Sequence, residues 1–194
     1  MDKLSKTLLV FLLIPLFFIM VTGCMGSNDT GPQADTAGSD NELYKGPGED
    51  SMMISSSAFE NGGLIPIRYT CDGENVNPSL EVENIPEGTE SLVLLVDDPD
   101  SPSGSFTHWL VWNIPPGSQI NENSIPGITG KNSFGQAIYG GPCPSAGTHR
   151  YHFKVFALDK ELDLPGGSGI EQVEELMQGH ILAQGQMTGK YGRA

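Results

Sequence analysis

"SLVLLVDD", residues 91–98, decides the architecture. Five apolar residues, Leu92 to Val96, run without interruption into two carboxylates and then Pro99. Such a short, branched apolar run is a buried β-strand, and proline cannot continue it as a central strand. Working outward, "FTHWLVWNIPP" (106–116) has the same texture and stops at a proline pair. "RYHFKVFALD" (150–159) alternates as a half-buried strand should. Gly and Pro punctuate the region, and no helix-length periodic segments separate the strands, which argues against a doubly wound parallel sheet. The expectation is a mainly β domain, a sandwich or barrel. One helix is predicted in "SGIEQVEELMQG" (168–179). Ser168 and Glu171 suit a capping box, Ile170, Val173, Leu176 and Met177 recur at helical spacing, and Gly179 ends it.

The strands begin near Ser51. Before them, residues 1–23 combine Lys3 and Lys6 with an apolar run, Thr7–Val21, that contains Pro15. A charged start, an apolar middle and a small-residue exit describe a signal peptide, and the run is short for a membrane span of roughly 20 residues. The exit, "VTGC", resembles a lipoprotein signal, with cleavage before Cys24 and lipid on its sulfur. An uncleaved anchor is the alternative, and both leave the remainder tethered outside the cytoplasm. Residues 24–50, rich in Gly, Ser, Asp and Asn, read as a flexible tether. The domain organisation is thus signal peptide 1–23, tether 24–50, folded domain 51–194.

The formal net charge is −14. Nucleic acid is excluded as a partner, because its binding rests on Lys and Arg neutralising phosphates, and no broad attachment to anionic lipid is expected. Any anion site must be local. If Cys24 carries lipid, Cys71 and Cys143 remain, and an even number outside the cytoplasm suggests a disulfide. Two free thiols or a redox pair stay open. There is no CxxC or His/Cys spacing of a zinc site.

Three segments bring chemistry to strand ends. In "VDDPDSP" (96–102), Asp98 and Asp100 sit on a constrained turn and either bond their own backbone or face a site. In "THWLVWN" (107–113), alternation puts His108 on the face of Leu110 and Trp112, and taken alone it is a core histidine with one hydrogen bond. In "GPCPSAGTHRYHF" (141–153), alternation puts His149, Tyr151, Phe153 and Val155 on one face and Arg150, His152 and Lys154 on the other. His149 and Tyr151 then line the mouth of the core, behind a glycine-rich loop that lets backbone approach a ligand. Imidazolium and phenol donate to anionic oxygens, and a carboxylate can orient an imidazole or receive an ammonium. The set suits a phosphate ester. Metal ligation by two His and one carboxylate, or acid/base hydrolysis, would use the same residues. However, there is no HExxH-type spacing and no GxSxG nucleophile.

"DDPDSPSGSFTHWLVWNIP" (97–115) and "GPCPSAGTHRYHFKVFALD" (141–159), with "TCDGENVNPSL" (70–80) and "ILAQGQMTGKYGR" (181–193), resemble the phosphatidylethanolamine-binding protein family in its prokaryotic, Raf kinase inhibitor-like branch. The resemblance covers about residues 51–194. It implies a Greek-key β-sandwich of two antiparallel sheets with a C-terminal helix, and a small anion pocket at one end. By motif position it implies Asp98, Asp100, His108, His149 and Tyr151 as ligand-binding residues, with Gly141 and Pro142 on the rim. It implies a phosphate-containing small molecule or phospholipid headgroup as partner, with no metal, no organic cofactor and no enzymatic activity. It also implies that "TCDG" lies near "GGPCP", favouring a Cys71–Cys143 bond. The signal and tether are additions to the family domain, and they argue against regulation of cytosolic kinases. The other reading is an interaction module that inhibits an extracytoplasmic hydrolase or protease through loops such as Ser101–Ser105.

Overall fold

The computed structural model describes residues 51–117 and 119–193. The expected signal peptide, the expected lipidation site Cys24 and the expected tether lie outside the described residues. Seven strands form two antiparallel sheets. β1 (Met53–Ser55) pairs with β2 (Glu81–Glu83). The other sheet contains β3 (Ser91–Asp98), β4 (Phe106–Ile114), β5 (Ile128–Thr129), β6 (Gly147–Leu158) and β7 (Ile181–Arg193), in the order β5-β4-β3-β6-β7. The run that opened the sequence analysis is the central strand, and every residue of β3 is buried.

The large sheet is covered on both faces, so its strands carry apolar residues at successive positions. Leu92, Leu94 and Val96 of β3, Trp109 and Val111 of β4, and Tyr151, Phe153 and Val155 of β6 share one core with Ile54, Phe59 and Leu80. Val93, Leu95, Leu110 and Trp112 face the other way, onto α1 (Ile170–Met177). Val173 and Met177 of α1 are buried there, with Ile170 and Leu176 packed at the edge. A fully buried side chain of this size contributes about 1.5–3 kcal/mol, so each face of the sheet is anchored by its own cluster.

The helix starts one residue later than its predicted cap. Gly169, not Ser168, is the N-cap, and its N–H donates to Gln172 Oε1 at 3.1 Å. Ser168 instead donates its hydroxyl to the Pro165 carbonyl at 2.8 Å, closing the preceding turn. Gly179, with φ +77°, takes the left-handed conformation that ends the helix. β7 follows it as the last strand.

Candidate functional site

The site sits where β3, β4 and β6 meet their loops, and an irregularity in β4 assembles it. Val96 pairs with Trp109, but Asp97 pairs with Thr107, so Thr107 and His108 together oppose one residue of β3. This bulge breaks the period-2 alternation. Strict alternation would turn His108 toward Leu110 and Trp112. Instead its ring packs edge-on against Tyr151 at 5.2 Å and beside Phe106 at 5.1 Å, on the face that also carries Asp98. His108 is buried as expected, but on the opposite side of the sheet.

The uninterrupted alternation of β6 holds. His149, Tyr151, Phe153 and Val155 share the Asp98 face, with Tyr151 fully buried. Asp98 is 4% exposed and both its oxygens are engaged. Oδ1 accepts the Asp100 N–H at 2.9 Å, the backbone turn that an Asp/Pro sequence favours. Oδ2 meets His149 Nδ1 at 2.7 Å. The turn and the orientation of an imidazole are therefore the work of one carboxylate.

Asp100 has a different role. Its Oδ2 accepts the Arg150 backbone N–H at 2.8 Å and Nε–H at 2.9 Å, and its Oδ1 accepts Nη2 at 2.6 Å. The Arg150 guanidinium holds the Asp100 carboxyl well below the usual carboxylate range. Asp100's side-chain hydrogen bonds go to Arg150, not to a histidine, and they staple the turn after β3 to β6. Arg150, read from the sequence as a solvent-facing residue, is its clamp.

His108 Nδ1 lies 2.7 Å from the Gly140 carbonyl, so Nδ1 carries the proton and donates. The neutral ring then presents Nε2 as an acceptor. Burial pushes its pKa down, opposed by the Gly140 carbonyl and the Asp98 charge. The Tyr151 hydroxyl lies beside Asp98 and the Cys143 backbone without a hydrogen bond of good geometry. Burial, reinforced by the Asp98 charge, pushes it up, so it stays a neutral donor.

The loop that carries Gly140 is fastened to residues 69–75. Cys71 and Cys143 form a disulfide with Cα atoms 5.4 Å apart. Cys71 N–H donates to the Pro142 carbonyl, Tyr139 Oη to the Tyr69 carbonyl, and Gly141 N–H to Asn75 Oδ1. A Cβ on Gly141 would collide with the Tyr69 carbonyl.

These groups bound a cavity of about 220 Å³, lined by Asp98, His108 and His149, by Phe106 and Phe134, and by the loop residues Ser101, Ser103 and Ser145. Gly141 and Pro142 do not line it. Gly141 borders a neighbouring cavity, and Pro142 is buried under the loop. Sequence reasoning also missed the aromatic wall. Phe134, in a segment of turn residues, packs edge-on to Phe106 at 4.8 Å, and nothing in its local pattern marks it. No three His, Cys, Asp or Glu side chains among the described residues are grouped as a metal site. The arrangement offers one oriented imidazole, one imidazole with a bare Nε2 and short loop hydroxyls around a volume suited to a small anion; of the residues expected at the site, Asp100 and the buried Tyr151 do not line it.

The family model described as "Phosphatidylethanolamine-binding protein" matches residues 55–192. A UPF0098 protein of Pyrococcus abyssi is 42% identical over 194 residues, covering 93% of this chain and 98% of its own length. A UPF0098 protein of Methanothermobacter thermautotrophicus is 44% identical, covering 73% and 99%. Among solved structures, a putative phosphatidylethanolamine-binding protein homologue from Chlamydia trachomatis superposes with a TM-score of 0.71 at 38% identity, covering 75% of this chain and 99% of that one. YbcL of E. coli, described as a new member of the mammalian PEBP family, gives 0.69 at 28% identity, covering 74% and 99%.

Proposed function

Since this chain belongs to the phosphatidylethanolamine-binding protein family, we propose that it binds a phosphate-bearing small molecule or phospholipid headgroup in the cavity bounded by Asp98, His108 and His149. The observation that carries this reading is the pairing of His149 with Asp98 beside a buried His108 whose Nδ1 is already committed. His149 donates its Nδ1–H to Asp98, which leaves Nε2 to meet the ligand and pairs the carboxylate that would otherwise repel phosphate. Both carboxylates are engaged, which disfavours them as partners for an ammonium and puts the phosphate, not the amine, at the centre of recognition. The reading is of binding without turnover.

The same proposal holds the domain outside the cytoplasm, on a lipidated Cys24. Its support is the basic start, the apolar run and the Gly23–Cys24 junction. Partition of the full chain into detergent, lost in Cys24→Ala, tests this half.

Calorimetric titration of the full chain with phosphoethanolamine tests the other. His149→Ala removes a charge-assisted hydrogen bond of about 1.5–3 kcal/mol, so affinity should fall by about one to two orders of magnitude. Equal affinity in parent and mutant would remove His149 from the site. No binding by a folded parent would favour the protein-inhibitor reading.

A further inference from the structure

The phosphate cavity has a neighbour. A second cavity, of about 360 Å³, lies against it, and the two share Phe134 and Cys143 as walls. We infer that this second cavity takes the neutral, hydroxyl-bearing alcohol of a phosphate ester whose phosphate occupies the first. The inference rests on the phosphate reading above and specifies the class of ligand.

Charge divides the two volumes. The first is lined by Asp98 and two histidines. The second is lined by the Cys71–Cys143 disulfide, Asn75, Gln136, Gly140, Gly141 and Phe134, none of which is ionised. The nearest ionised group is Arg193, whose Nη2 lies 2.9 Å from Cys71 Sγ and which is already paired with Asp72. A neutral group needs no ion partner from this lining. The polar atoms are amides. Asn75 Oδ1 is used by Gly141 N–H, leaving its NH₂ group. The Gln136 side chain is exposed, while its backbone N–H is held by Asn132 Oδ1. Amides that both donate and accept match hydroxyl groups, and the Phe134 face and the disulfide supply apolar contact for the carbons between them.

The dividing wall is coupled to the phosphate site. Phe134 packs on Phe106 and His108, and a Cβ on Gly140 would lie 2.8 Å from its ring carbons. The ring therefore rests on the bare backbone of the residue whose carbonyl holds His108. The floor of the second cavity is fixed by the disulfide and by the bonds from Gly141 and Cys71. A ligand spanning both volumes meets a floor already held in place, which lowers the ordering cost of binding.

Inorganic phosphate and glycerol 3-phosphate, titrated calorimetrically into the full chain, separate the two halves. Glycerol 3-phosphate should bind about tenfold more tightly than inorganic phosphate, a difference of about one additional hydrogen bond with its apolar contact. Gln136→Ala should weaken the ester about fivefold, the loss of one neutral hydrogen bond, and leave inorganic phosphate unchanged. Equal affinities for the two ligands in the parent, or equal weakening of both in Gln136→Ala, overturns the inference while the phosphate reading stands. Failure of both ligands to bind the parent overturns the phosphate reading, and the inference with it. Displacement of bound glycerol 3-phosphate by phosphatidylglycerol vesicles, but not by phosphatidylcholine vesicles, supports the inference with a lipid as the source. Tight binding without displacement supports it with a soluble ester.

Discussion

Replacing His108 with asparagine tests the proton count of the site. In the free protein near neutral pH, the ring gives its Nδ1 proton to the Gly140 carbonyl, and burial keeps the second nitrogen unprotonated. A phosphate ester loses its last proton near pH 6. Above about pH 7 a bare Nε2 would therefore face a dianion, lone pair against charge, unless one proton enters the complex. That proton protonates either the imidazole or the phosphate oxygen. Linkage then requires the binding constant to fall by up to about tenfold per pH unit, about 1.4 kcal/mol each. The other groups near His108 are Asp98 and Asp97, whose charges favour its protonation, and the uncharged Tyr151, Phe106 and Phe134. Titration from pH 7 to 9 in two buffers of different ionisation enthalpy counts the protons taken up. His108→Asn should take up about one proton fewer than the parent, because an amide donates without protonation. At pH 7 it should bind about 10- to 100-fold more weakly, since it replaces a charge-assisted bond in a largely buried site. A His149→Gln control shows whether any remaining uptake belongs to the second imidazole. Affinity independent of pH in the parent, or unchanged uptake in His108→Asn, would refute the assignment of Nε2 to the phosphate.

Two further outcomes concern stability. The disulfide closes a sequence separation of 72 residues, so the chain-entropy estimate for Cys71→Ala/Cys143→Ala is a loss of about 4 kcal/mol, read as a lower urea midpoint; an unchanged midpoint would show that the loop is held by its hydrogen bonds alone. Burial lowers the pKa of both His108 and His152. The unfolded chain therefore binds their protons first, and the stability present above about pH 6.5 should be lost as the pH falls through that value. Urea midpoints between pH 8 and 5 should show this decline, and the slope should be shallower in His108→Asn; identical slopes would place its origin elsewhere.

Much of the architecture is legible because burial writes it locally. The apolar run of β3 and the alternation of β6 each carry their own signal, and the face shared by His149 and Tyr151 follows from counting by two. The misreading of His108 has a local cause. A bulge is set by how two strands register against each other, and the residues Thr107 and His108 carry no mark of it. The helix cap moved for a similar reason, since Gln172 could serve Gly169 as well as Glu171 could serve Ser168. Asp100 carries the same turn signal as Asp98, but its engagement with Arg150, away from the cavity lining, depends on a contact across 50 residues. Phe134 was invisible because its partners, Phe106 and Gly140, are brought to it only by the fold.

The bulge in β4 also sets a reading frame for the site. Downstream of it, Trp109, Leu110 and Val111 are in phase with β3, and upstream Phe106 is in phase with Asp98; the extra residue is the interval between them. Deleting Thr107 would leave both flanks able to pair as they do now, and the cores on either side of the sheet would keep their side chains. His108 alone would change sides, joining Asp97 and His152 across the sheet from the cavity. A one-residue deletion could thus spare the fold and silence the pocket. In this chain, the two residues between Phe106 and Trp109 matter to the pocket as much as the identity of the histidine itself.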